Sequence, residues 1–174
     1  MKYLIISFFS TFILMFTHSL DAQRTSGKKI TAQKETEKGT KSDFFLESTS
    51  KFGFDETVQK FTAIAERKTW KITATHDLQQ TMKTHGKEVL PVKVFAICHP
   101  KHSSKILEKD DERIISSMMP CRVSIYMKSD GKTYISRMNS IAMAQNFDGV
   151  IREVMTESAL EVEEMIRELI SEKK

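Results

Sequence analysis

Between residues 55 and 68 the apolar positions Phe54, Val58, Phe61, Ile64 and Ala65 recur at three- and four-residue steps. That spacing predicts an amphipathic helix, with Asp55 in position to cap its first turn. The period then changes. Trp70, Ile72 and Ala74 alternate with Lys71, Thr73 and Thr75, which predicts a half-buried strand over 69–76. A short helix over 77–84, carried by Leu78 and Met82, ends at Gly86. Residues 91–98 are apolar on both faces after Lys93, as expected of a strand inside a sheet.

Proline has no N–H to lose in a first helical turn, so Pro100 fits the start of a helix reaching Lys109, with His99 at the cap. A further helical turn follows around 111–117. Cys121, Val123, Ile125 and Met127 then alternate with Arg122, Ser124 and Tyr126, and Asp130-Gly131 is a hairpin turn leading into a strand over 133–138. The chain closes in a helical stretch from Ser140, broken at 146–149, whose last part carries Val150, Ile151, Val154, Val162, Met165 and Ile166 on one broad face. A first strand over 43–50, around Phe44, Phe45 and Leu46, completes the set. Strands and helices mix without an internal repeat, which predicts an α+β domain: one small antiparallel or mixed sheet packed by helices on one side, with a C-terminal helix.

The N-terminal 42 residues do not belong to this pattern. Lys2 is followed by an apolar run from Tyr3 to Phe16 and a more polar stretch to Ala22, the layout of a cleavable signal peptide over 1–22. The run is shorter than the roughly 20 apolar residues that cross a bilayer, so no stable membrane insertion is expected after cleavage. Residues 23–42 are rich in Lys, Thr, Ser, Gln and Gly and read as a disordered basic tether. The remainder, 43–174, is the single α+β domain, exported to the periplasm or the extracellular space.

The net charge of +4 suggests a polyanion partner until its location is considered. Arg24, Lys28, Lys29, Lys34, Lys38 and Lys41 face only Glu35 and Glu37, so the whole excess sits on the tether and the folded part is neutral. Nucleic acid is therefore not expected as a partner. The tether reads as a solvated spacer rather than a membrane-binding tail.

Standard catalytic signatures are absent from the sequence. The glycines are isolated, so no phosphate-cradling loop or dinucleotide fingerprint exists, and there is no His-Glu-x-x-His helix, Gly-x-Ser-x-Gly elbow or Cys-x-x-Cys pair. What remains is Cys98-His99-Pro100-Lys101-His102 and Met118-Met119-Pro120-Cys121-Arg122. Each cysteine stands at a strand end, in phase with that strand's apolar residues.

Three readings follow. The thiols are structural or disulfide-bonded. Alternatively they are redox-active or sulfur-transferring, since Cys98 precedes a helix N-terminus that favours a thiolate. Or Cys98, Cys121, His99 and Met119 form a soft ligand set for Cu(I) or haem iron. A purely structural dimerisation module using the apolar face of the last helix is a further alternative. Whether the chain is an enzyme stays open.

The residues from about Gly53 to Met165 resemble the family catalogued as domain of unknown function 302. The likeness is carried by Phe54-Asp55-Glu56-Thr57-Val58, Lys68-Thr69-Trp70-Lys71, the run from Val92 to Lys101, Pro120-Cys121-Arg122-Val123-Ser124-Ile125-Tyr126 and Asp130-Gly131-Lys132. The Cys-x-Pro-Lys and Pro-Cys-Arg elements resemble its cysteine-bearing branch. The resemblance implies a compact α+β domain that tends to form homodimers, and no particular activity. That branch usually has Asn where this chain has His99, which is a poorer cap and a better ligand.

Overall fold

The computed structural model describes residues 44–170, so the signal peptide and tether lie outside the described residues. Its elements run β1 (Phe45–Thr49), α1 (Phe54–Arg67), β2 (Lys71–Asp77), α2 (Leu78–Thr84), β3 (Val92–Cys98), α3 (Pro100–Leu107), a 3₁₀ helix (Asp111–Met118), β4 (Cys121–Met127), β5 (Thr133–Met138), α4 (Ser140–Ala144) and α5 (Gly149–Arg167). The five strands form one sheet in the order β1-β5-β4-β3-β2, antiparallel at every pairing. The expected α+β class, helical packing and C-terminal helix are all observed, and of the two sheet types left open the antiparallel one forms.

α1 and the C-terminal half of α5 cover one face of this sheet. Phe61, Ile64 and Ala65 of α1 meet Phe95, Ile97, Val123, Ile125 and Ile135 of the strands and Val162, Met165 and Ile166 of α5. Most of these side chains are fully buried, each such residue contributing roughly 1.5–3 kcal/mol over the exposed state. A smaller cluster, Ile106, Ile115, Ile151 and Val154, joins α3, the 3₁₀ helix and the N-terminal half of α5 beyond the sheet end. The broad apolar face of the last helix is thus spent inside the chain, not on its surface.

Two local expectations are corrected. Asp55 does not cap α1: the cap position is Gly53, with no side-chain bond, and Asp55 lies in the first turn where its charge favours the helix N-terminus. Trp70 precedes β2 instead of belonging to it. A bulge then sets Ile72 opposite Ile97 and Ala74 opposite Ala96, so the two do not share a face as unbroken alternation implied. Other local readings hold in detail. His99 is the N-cap of α3 with Pro100 in the first turn, Asp77 caps α2 by accepting from Gln80 N, and Gly131 takes φ +75° in the β4–β5 turn.

Candidate functional site

Antiparallel pairing brings the C-termini of β3 and β5 and the N-termini of β4 and β1 to the same end of the sheet. There the sheet stops short of α3, the 3₁₀ helix, α4 and α5, and a cavity partly open to solvent lies between them. Its walls are mainly apolar, among them Ile97, Ile106, Val154 and Val162, with Met118, Met119, Met138 and Met155 providing soft, adaptable surface. The lining suits an apolar ligand.

All four residues singled out from sequence, Cys98, His99, Met119 and Cys121, border this cavity. Ile97 is the cross-strand partner of Cys121, so strand alternation assigns Cys98 and Cys121 to opposite faces. They come to one cavity because both stand at the sheet's end, where the chain leaves the ladder. Neither is in a disulfide. Cys98 Sγ is 2.8 Å from Ser103 Oγ on the second turn of α3. Burial, and then the neighbouring Cys98, push the Cys121 thiol up, so it stays protonated at neutral pH. His76 and His85 are exposed and away from this cavity's lining.

A second group of polar side chains occupies the α3 side. His102 is 4% exposed and lies between two carboxylates of α5, with Nε2 3.0 Å from Glu161 Oε1 and Nδ1 3.6 Å from Glu157 Oε2. The nearer contact is short but off the line of a ring N–H, and neither His102 nitrogen has a formed hydrogen bond. Glu161 Oε2 accepts a hydrogen bond from Trp70 Nε1 at 3.1 Å. Burial works to raise the Glu161 carboxyl, yet His102, the Trp70 N–H and His99 outweigh it and hold it below its ordinary range. The His99 ring sits 4.9 Å from that of His102 and edge-on to Trp70. His99 Nε2 is 3.0 Å from Thr69 Oγ1, whereas its Nδ1 is buried without a partner. Burial foremost lowers the His99 pKa, with His102 and Lys101 adding and Glu161 opposing, so the ring is neutral at pH 7.

On the β5 side Arg137, 8% exposed, is held in a bidentate pair with Glu163 and donates from its Nη1 to Ser48 Oγ at 2.9 Å. This doubly held guanidinium lines the cavity together with its Glu163 partner. Among the described residues no group of three or more His, Cys, Asp or Glu side chains could hold a metal ion.

His102 was visible in the cysteine-bearing run, but its burial was not. Arg137 carried a legible signal, since it continues the alternation of Thr133 and Ile135 and so faces the core. Glu157 and Glu161 stand one helical turn apart on α5 beside the apolar face. Nothing in the sequence paired them with a histidine 55 and 59 positions earlier, a meeting that only the packing of α3 on α5 creates.

Among the described residues no helix is long and apolar enough to cross a membrane. A search of curated proteins finds no match. Among solved structures the fold resembles the crystal structure of an uncharacterized conserved protein DUF302 from Bacillus stearothermophilus, at a TM-score of 0.64 and 13% identity, over 72% of this chain and 98% of that one. Identity that low carries the fold alone. The family described as Domain of unknown function DUF302 matches residues 46–172, the sheet, the helices and both cysteine segments together, and this chain belongs to that family.

Proposed function

We propose that this is an exported binding protein whose ligand occupies the cavity at the sheet end, with Cys98, His99, Met119 and Cys121 as soft donors to Cu(I) or to haem iron. One observation carries the reading: these four donors, from two segments separated by the 3₁₀ helix, border a single apolar chamber. A methionine-rich wall suits a soft ion or a large planar apolar cofactor, whereas a zinc-like site would need the hard or borderline cluster that the described residues lack. The Cys-x-Pro-Lys and Pro-Cys-Arg elements, which resemble one branch of the family, are the segments that supply the donors.

Thiol redox or sulfur transfer is the second reading, favoured by two free cysteines on one cavity. The raised Cys121 pKa works against it, because the thiolate is the nucleophile.

The test is to purify the exported protein without added metal, measure its metal content and Soret absorption, then titrate Cu(I) against a chelator and haem by absorbance. Saturable binding of one of them, weakened about tenfold or more in Cys98→Ser and Cys121→Ser, is expected. Failure of the unaltered protein to bind either, together with reversible thiol oxidation near the glutathione potential, would replace this reading with the redox one.

A further inference from the structure

Two arginines border the cavity, and they are placed in opposite ways. Arg137 is buried, and Glu163 and Ser48 Oγ take up its donors. Arg122 is exposed, and among the described residues its guanidinium makes no ion pair and no hydrogen bond. The strand register says where it stands. Val123 pairs with Arg137, so Arg122 and Met138, one position further along, lie side by side on the opposite face of the sheet. Met138 is in turn opposite Phe45, and both are large apolar side chains left open to solvent. A guanidinium without a partner therefore stands at the cavity rim, between an exposed apolar ledge and the methionine-lined chamber.

An exposed strand arginine by itself needs only water. Two features set this one apart: it lines an apolar cavity, and the other arginine on that lining is already neutralised by Glu163. We infer that the cavity binds a small monocarboxylic acid with an apolar body, its carboxylate on the Arg122 guanidinium at the rim and its hydrocarbon part among Ile97, Ile106, Val154 and Met155. The planar fork of arginine matches a carboxylate with two parallel N–H···O bonds. One unpaired cation balances one negative charge, which favours a carboxylate over a doubly charged phosphate. At the rim the head group keeps much of its hydration, whereas a charge carried further in would face apolar walls without a counter-ion. Apolar burial supplies most of the affinity, and the arginine supplies the selectivity for an acid. This goes beyond the function proposed above, since it shares only the cavity and needs none of the four soft donors.

Trp70, the chain's one tryptophan, lines the cavity, so its fluorescence reports occupancy without a label. The experiment titrates octanoate, octanol and octylammonium into the full mature chain, unaltered and as Arg122→Gln and Ala159→Leu, with calorimetry in parallel. Octanoate is expected to saturate, about three- to tenfold tighter than octanol, with octylammonium the weakest. Arg122→Gln should abolish the preference for octanoate and leave octanol unchanged, and added salt should erode the same preference. Ala159→Leu, which adds bulk to the α5 wall, should weaken octanoate and octanol alike. A thermal melt checks that each variant is folded, and Arg122→Gln, at an exposed position, decides the assignment if Ala159→Leu is not. Octanoate that does not saturate, that binds no tighter than octanol, or that keeps its preference in Arg122→Gln overturns the assignment. So does octanoate binding untouched by a folded Ala159→Leu, which would place the acid outside the chamber. Cu(I) and haem titrations of the same preparation report on the soft donors separately: octanoate binding without either removes the donor reading and keeps this one, and the reverse removes this one.

Discussion

The two halves of α5 pack in different ways, and the difference locates the site. Its C-terminal half, through Val162, Met165 and Ile166, closes on the sheet and α1 with side chains almost wholly excluded from water. Its N-terminal half overhangs the sheet end, meets α3 and the 3₁₀ helix through Ile151 and Val154, and leaves the cavity between them. Where a helix has a sheet beneath it, β-branched strand residues fill the space. Beyond the last strand pair it has only short helices to meet, and these cannot close the gap. Polar chemistry collects in that gap: His99, His102, the two thiols and the Arg137–Glu163 pair line it, and Glu161 stands behind His102.

The sharpest way to break this comparison is to remove one large side chain from each region. Phe61→Ala, in the sheet-backed core, is expected to lower unfolding free energy by about 3–5 kcal/mol in urea titrations. Met119→Ala, on the cavity wall, should cost about 1 kcal/mol or less, because its side chain already borders empty space. Similar losses at the two sites would mean that the cavity wall is packed as tightly as the core. Arg137→Met comes next. It leaves the Glu163 carboxylate without its partner, and since Glu163 is partly exposed the expected loss is about 2 kcal/mol rather than the full cost of an orphaned buried charge. Glu163→Gln in the same background should recover part of it.

The smallest effect is electrostatic and tests the α3 side. Glu161 titrates lower when folded than its unfolded value of 4.5, so its carboxylate contributes stability above that pH, and the contribution is lost as pH falls through the folded pKa. Thermal melts of Glu161→Gln should therefore lie below those of the unaltered protein at pH 7 and converge with them below pH 4.5. A constant gap from pH 7 to pH 3 would show that Glu161 acts through packing alone.

How much of this could be read in advance differs by level. Element order and most boundaries follow from local periodicity, and the left-handed glycines at 86 and 131 mark turns as expected. The bulge in β2 escaped because Trp70, Ile72 and Ala74 keep perfect alternation in sequence while the ladder inserts Thr73 between register positions. Cys98, His99, Met119 and Cys121 were legible as chemistry-bearing residue types at strand ends. Arg122 was legible only as part of the Pro-Cys-Arg element, since a sequence does not show which cation goes without a partner.

By itself, the sequence determined which segments are helix and strand, that one face of each is apolar, and where soft donors stand along the chain. These are local properties, set by side-chain period and by the backbone preferences of Gly and Pro. Tertiary structure alone decided that two cysteines on opposite strand phases share a cavity, that His102 lies between two glutamates and that Arg122 stands unpaired at the cavity rim. Each of those depends on where one element ends relative to another, and that is set by packing a finite sheet against helices longer than it can cover.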